Sequence, residues 1–324
     1  MKPILAVSMG DPAGIGPEIV AAAAVDTRVR RACSLVVYGD EAVLDAGRRA
    51  RGIGRSRASA ILRVEPVTER RSRELPRPGR SCGEAAFRYL VAAAHGTVAG
   101  DCDALVTAPL NKYWMNRAGH DYDGHTGYLS ELAGRRATMM LAGRKLRVVL
   151  ATTHLAIADV PRVLSVERIV DAGKATAAHL RAYHGLERPR LAVAALNPHA
   201  GENGLFGDEE QRLIQPALKS LHRARVRAEG PFPADTLFAA GRSGDYDAVL
   251  CMYHDQALIP LKLLEFGHSV NVSMGLPFIR TSPDHGTAYD LAGSGKARAD
   301  SMIEAVLLAA SMVRNRNSKK RGKR

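Results

Sequence analysis

The feature that most constrains this chain is an alternation. Short β-branched or aliphatic runs, Ile4 to Ser8, Ser34 to Tyr38, Ala104 to Thr107, Leu146 to Thr152, Leu191 to Leu196 and Ala248 to Met252, alternate with Ala/Leu-rich segments whose apolar residues recur every three and four positions. Strands that alternate with helices in this way predict an α/β fold built on a central sheet, in three αβα layers. The spacing predicts helices over Pro17 to Val25, Cys82 to Ala99, Val166 to Tyr183, Asp208 to Arg223 and Ala299 to Arg314. Pro17 at the first helical position and Glu18 beside the positive end of the dipole favour initiation of the first. No internal repeat and no Gly/Ser linker marks off independent domains, so two lobes would share a chain that crosses between them more than once.

The chain has 324 residues, 46% of them hydrophobic, which is enough for a full core. No apolar run approaches the roughly 20 residues that span a bilayer, and the stretch after Met1-Lys2-Pro3 is too short for a signal peptide. The expectation is a cytoplasmic protein with no membrane partner. Cys33, Cys82, Cys102 and Cys251 form no CxxC pair and suggest neither a disulfide framework nor a thiolate zinc site. The net charge of +13 raises the question of a polyanion partner. Seven of the basic residues, however, lie in the tail from Arg314 to Arg324, and the basic stretch from Arg48 to Arg63 lacks aromatics for base stacking. Specific nucleic-acid binding is not expected, and residues 315–324 read as a basic disordered tail.

Polar motifs fall at strand ends, where the loops of an open α/β enzyme line its cleft. Gly10-Asp11-Pro12-Ala13-Gly14-Ile15-Gly16-Pro17-Glu18 lies between a strand and a helix but fits neither GxGxxG nor a Walker loop. Its glycines either let backbone amides approach a ligand or form a tight turn. Three histidines, His154, His199 and His254, each fall at a strand end. One such residue is more often structural, but three that meet through the fold would make an open divalent-metal site. His179, His184 and His222, in helical stretches, read as surface residues by contrast. Gly124-His125-Thr126, Lys262, Asn271 and Arg280 add cations and donors suited to a phosphate or carboxylate. Pro283 to Gly293 is dense in turn formers and polar groups, though spacing alone names no ligand for it.

Together these segments closely resemble the 4-hydroxythreonine-4-phosphate dehydrogenase family of vitamin B6 biosynthesis. The resemblance runs from MGDPAGIGPE at Met9 through TAPLNK at Thr107, GHT at Gly124, LNPHAGENGLFG at Leu196, GPFPADT at Gly230 and YDAVLCMYHDQALIPLK at Tyr246 to VNVSMGLPFIRTSPDHGTA at Val270. It implies a fold like that of isocitrate and isopropylmalate dehydrogenases, with two lobes, approximately 1–120 plus 290–314 and 121–289, around a cleft at the interface of a homodimer. It implies one divalent metal (Zn, Mg or Co) on His154, His199 and His254, and substrate contacts at His125, Thr126, Lys262, Asn271 and Arg280. HGTAYDLAG is similar to the adenine-side loop of the wider group, which places His285 and Asp290 near NAD or NADP. Gly127 stands where members commonly have Glu.

The implied reaction oxidises the 3-hydroxyl of 4-(phosphooxy)-L-threonine and transfers hydride to NAD or NADP. The 3-oxo acid then decarboxylates to 3-amino-2-oxopropyl phosphate. A sister activity on 4-phospho-D-threonate or 4-phospho-D-erythronate is the nearest alternative. A metal-dependent hydrolase would use the histidines without the HGTAYD loop, and a nucleic-acid-binding protein would leave the histidines unexplained.

Overall fold

The computed structural model describes residues 2–54, 59–68 and 75–321, so part of the basic stretch near residue 50 and the last three residues of the tail lie outside the described residues. The chain divides into two compact units, Met1–Ala137 with Leu276–Arg324, and Thr138–Gly275.

The first unit opens with β1 (Ile4–Ser8), α1 (Gly16–Val25), α2 (Thr27–Ala32), β2 (Ser34–Gly39), α3 (Glu41–Ala50) and β3 (Ile61–Pro66). It continues through α4 (Arg80–Val98), β4 (Ala104–Thr107), α5 (Lys112–Arg117) and α6 (His125–Ala133). The second unit carries β5 (Thr138–Ala142), β6 (Arg147–Leu150), α7 (Val160–Val163), α8 (Val166–Tyr183), β7 (Arg190–Ala194) and α9 (Gln215–Arg223). It ends with β8 (Arg227–Phe232), α10 (Ala234–Ser243), β9 (Ala248–Cys251), α11 (His254–Glu265) and β10 (Val270–Met274). The chain then returns to the first unit for β11 (Arg280–Pro283) and α12 (Asp300–Arg321).

In the first unit the strand order is β3-β2-β1-β4-β11, with every pairing parallel. Parallel strands covered on both sides read as unbroken apolar runs, and Leu5, Ala6 and Val7 are all fully buried. Ala6, Val36 and Leu105 pack with Leu90, Ala93 and Ala94 of α4. Val106 pairs in register with Thr281, whose hydroxyl donates to the Ala305 carbonyl at 2.9 Å, so α12 covers the face opposite α4.

In the second unit the order is β10-β5-β6-β9-β7-β8. β6 and β7 both run parallel to β9, whereas β5 is antiparallel to its neighbours β6 and β10. Leu141, Val148, Leu150, Ala192 and Val249 form one core with Leu237 of α10 and Leu261 of α11.

Two expectations need correction. The tail does not begin at residue 315: α12 runs on to Arg321, and Arg316 donates to the Asp103 carbonyl and carboxylate at 3.2 and 3.1 Å. His179 and His184 are not surface residues. His179 is 5% exposed, the ring nitrogen Nε2 of His184 is buried, and burial together with nearby Arg147 pulls them down to about 4 and about 3. An imidazole on the inner stripe of a helix has the same sequence spacing as one on the outer stripe.

Candidate active site

His154, His199 and His254 follow the carboxyl ends of β6, β7 and β9, three strands adjacent in the order β6-β9-β7. Polar links tie these ends together. The Thr152 hydroxyl donates to the Met252 carbonyl at 2.6 Å. Buried Gln256 accepts from the Met252 amide at 2.7 Å and donates to the Ala195 carbonyl at 2.6 Å.

The ring centroids of His154 and His254 are 5.7 Å apart. Two imidazoles on one divalent ion, with nitrogen about 2.1 Å from the metal, have centroids about 5–6 Å apart, so this pair fits a shared ion. Asp255 lies 2.7 Å from Nδ1 of His254, a contact that orients the ring and leaves Nε2 facing away from the carboxylate. His199 faces Phe206 at 6.2 Å between ring centroids. Among the described residues no group of three or more His, Cys, Asp or Glu is gathered as a metal cluster, so the structure pairs two of the three histidines.

His199 opens a left-handed turn: His199, Ala200, Gly201, Glu202 and Asn203 all have positive φ, from 42° to 80°. Such backbone costs roughly 1–2 kcal/mol per non-glycine residue and persists only where its surroundings hold it. Buried Glu210 does so, accepting from the amides of Leu196 and Asn197 at 2.8 Å each and from Asn197 Nδ2 at 3.0 Å. A Cβ at Gly201 would come within 2.6 Å of that carboxylate. Glu210 lies in a π-helical turn, Glu210–Ile214, which leads into α9. In sequence this segment reads as plain helix, and nothing local marks Glu210.

In the first unit a cationic corner forms around α6. Arg280, 2% exposed on β11, donates from Nη2 to the Thr107 hydroxyl at 2.7 Å. Burial lowers its guanidinium to about 10, which leaves it charged at neutral pH. His125 and Thr126 begin α6, the positive end of its dipole. His125 Nε2 is buried without a hydrogen-bond partner among the described residues. Burial, then Arg280 and Lys112, hold His125 well below the ordinary imidazole value, so it is neutral. A buried cation, an imidazole nitrogen shut off from water and a helix amino end together suit an anionic group.

The Gly10–Glu18 and Pro283–Gly293 motifs are one assembly. Ile15 donates its amide to the Thr287 carbonyl at 2.9 Å, and a Cβ at Gly14 would meet that same oxygen at 2.8 Å. Tyr289 donates to Asp11, and fully buried Glu18 accepts from the amides of Gly293 and Gly295. The glycines of the first motif are therefore packing positions, and Asp11 and Glu18 brace the second motif, a role not legible locally. Within the braced loop His285 Nε2 is buried without a partner among the described residues, and Asp290 is exposed. The loop thus holds one ring nitrogen without a partner and one carboxylate open to solvent.

Lys262 is exposed on α11, and Asn271 is half-buried on β10 opposite Leu141. Gly127 has room for a side chain, since a Cβ there would lie 3.4 Å from that of Tyr122.

Comparison with known proteins agrees with this architecture. Residues 31–309 match the family described as pyridoxal phosphate biosynthetic protein PdxA. The chain is 48% identical to a 4-hydroxythreonine-4-phosphate dehydrogenase of Geobacter metallireducens, over 98% of this chain and 97% of that one. A crystal structure of the enzyme of that name from Klebsiella pneumoniae superposes with a TM-score of 0.85 at 40% identity, covering 97% of this chain and 98% of that one. At 14% identity and a TM-score of 0.51, isocitrate dehydrogenase from Methylococcus capsulatus shares the fold, over 100% of this chain and 89% of that one. On these likenesses the chain belongs to the PdxA family of pyridoxal phosphate biosynthetic proteins.

Proposed function

We propose that this oxidoreductase oxidises 4-(phosphooxy)-L-threonine at its 3-hydroxyl with NAD or NADP, and that the 3-oxo acid loses carbon dioxide to give 3-amino-2-oxopropyl phosphate. The observation that carries the reading is the His154–His254 pair, set at the ends of neighbouring parallel strands at a separation that fits one ion. His199 is the third ligand in this reading, carried on the turn that Glu210 holds. A divalent ion of zinc, magnesium or cobalt held there would supply Lewis acidity to the oxidation and to the loss of carbon dioxide.

The chain's own residues bind and orient. Arg280 takes an anionic end of the substrate as a fork, His125 and Thr126 present a ring nitrogen and a helix amino end to it, and Asn271 fixes orientation. Neutral His125 offers one ring N–H or one lone pair without adding charge. His285 and Asp290 meet the dinucleotide on a loop that Asp11 and Glu18 keep in shape.

Lys262 is a substrate contact in a homodimer. Ile259 and Leu263 on α11 and Phe266 just past its end are 67%, 83% and 72% exposed around it, an apolar face that a second copy would cover. A cytoplasmic setting suits the four cysteines, all buried and none in a disulfide, and no helix among the described residues is long and apolar enough to cross a membrane.

NADH formation on 4-(phosphooxy)-L-threonine, 4-phospho-D-threonate and 4-phospho-D-erythronate tests the assignment. The highest kcat/KM is expected on the first, and a preference for either other substrate moves the chain to the sister activity. His199→Ala should strip the metal, read by elemental analysis, and nearly abolish turnover; retention of both would refute the ligand set.

A further inference from the structure

An open cavity of about 640 Å³ lies in the second unit, away from the histidines. Arg181, Arg188, Arg225 and Arg227 line it, with His222 and Glu229. Arg181 and His222 stand in the last turns of α8 and α9, and Arg227 opens β8. The cavity therefore sits beyond the amino ends of β7 and β8, whereas the histidines follow carboxyl ends. A five-residue strand separates those two edges by about 15 Å.

Helix capping explains part of this cluster, because cations are favourable at helix carboxyl ends. Arg181 donates to the carbonyls of Glu187 and Arg225 at 3.2 Å each, and His222 Nε2 lies 2.6 Å from the Ala228 carbonyl. Glu229, the acid of the lining, accepts from the Tyr246 hydroxyl at 3.0 Å. Among the described residues the side chains of Arg188, Arg225 and Arg227 have no hydrogen bond or ion pair. Arg225 also occupies a left-handed position, φ 58°, at the end of α9, where glycine is the usual residue.

Three guanidinium groups facing one cavity repel one another, and folding alone does not require them there. We propose that this cavity binds a compact anion bearing two or more phosphate groups, independently of the histidine site. Guanidinium forks match phosphate oxygens in pairs. The lining offers no Phe, Tyr or Trp on which a nucleobase would stack, so the charge of the phosphates is what is recognised.

Calorimetric titration of the full-length protein with inorganic pyrophosphate tests this. Arg188 and Arg227 are exposed, so the double variant Arg188→Gln/Arg227→Gln should keep the wild-type melting temperature. It should bind pyrophosphate roughly tenfold or more weakly, whereas His125→Ala, altered in the other cationic corner, should retain that binding. Wild-type affinity in the double variant, or loss of all binding in His125→Ala, would overturn the proposal. So would a single-stranded RNA that binds more tightly than pyrophosphate and is lost in the double variant, which assigns the cavity to nucleic acid. None of these outcomes bears on the dehydrogenase assignment, which is tested by turnover and metal content.

Discussion

Tyr289 donates its hydroxyl to the carboxylate of Asp11 at 2.6 Å, across 278 positions of sequence. Burial, and then the Asp11 carboxylate, push the phenol upward, so it remains a donor at neutral pH. Through this bond the motif after β1 sets the shape of the loop after β11.

Replacing Tyr289 with Phe removes a hydrogen bond to a charged group, an effect of about 1.5–3 kcal/mol. If the loop carries the dinucleotide, the KM for NAD or NADP rises roughly tenfold while kcat changes little. Initial rates at saturating substrate check this, and an unchanged cofactor KM would place the dinucleotide elsewhere.

Glu18 is a stronger brace. It is 0% exposed and its carboxylate serves two backbone amides, so Glu18→Ala leaves the amides of Gly293 and Gly295 without an acceptor. The expected loss is about 3 kcal/mol or more, and Glu18→Gln should lose less because one oxygen remains. Urea unfolding midpoints with an unchanged m-value give the comparison.

Arg280→Lys keeps the charge but loses the fork and its bond to Thr107. The KM for the phosphorylated substrate should rise roughly 30-fold, about 2 kcal/mol, with cofactor KM unaffected. Steady-state kinetics with each substrate varied separates the two effects.

His179 and His184 make stability depend on pH. Their folded values, about 4 and about 3, lie below the ordinary 6.5, so the unfolded chain binds more protons in the window between. Stability is therefore full above pH 6.5 and falls as the pH drops through that window, by on the order of 3 kcal/mol for His179. Thermal melts from pH 7 to pH 4 should show this slope, and His179→Leu should flatten it.

Gly127→Ala should stabilise the protein by about 0.5–1 kcal/mol, because α6 gains a better helix former and Tyr122 leaves room for the methyl group. An unchanged or lower unfolding midpoint would show that this glycine has another purpose.

The strands with apolar runs, β1, β2, β4 and β9, were legible because burial on both faces leaves no alternation to misread. β3 and β8 escaped notice because they are sheet edges whose runs, ILRVEP and RAEGPF, carry charges toward solvent. β11 reads as a loop in sequence, since Arg280 and Thr281 find their partners on Thr107 and α12. The histidines were legible from their place after strand runs. Glu210 and Glu18 were not, because a carboxylate that serves distant amides looks locally like any acid near a helix start.

The first unit is assembled from both halves of the message, since β11, α12 and the loop that Glu18 braces come after Gly275. Thr138–Gly275, by contrast, is one uninterrupted segment. During translation the second unit can thus complete its core on the ribosome while β1, β2 and β4 still lack β11. A chain ended at Gly275 and released from the ribosome would carry a protease-resistant inner segment flanked by an amino-terminal part that is still cleavable.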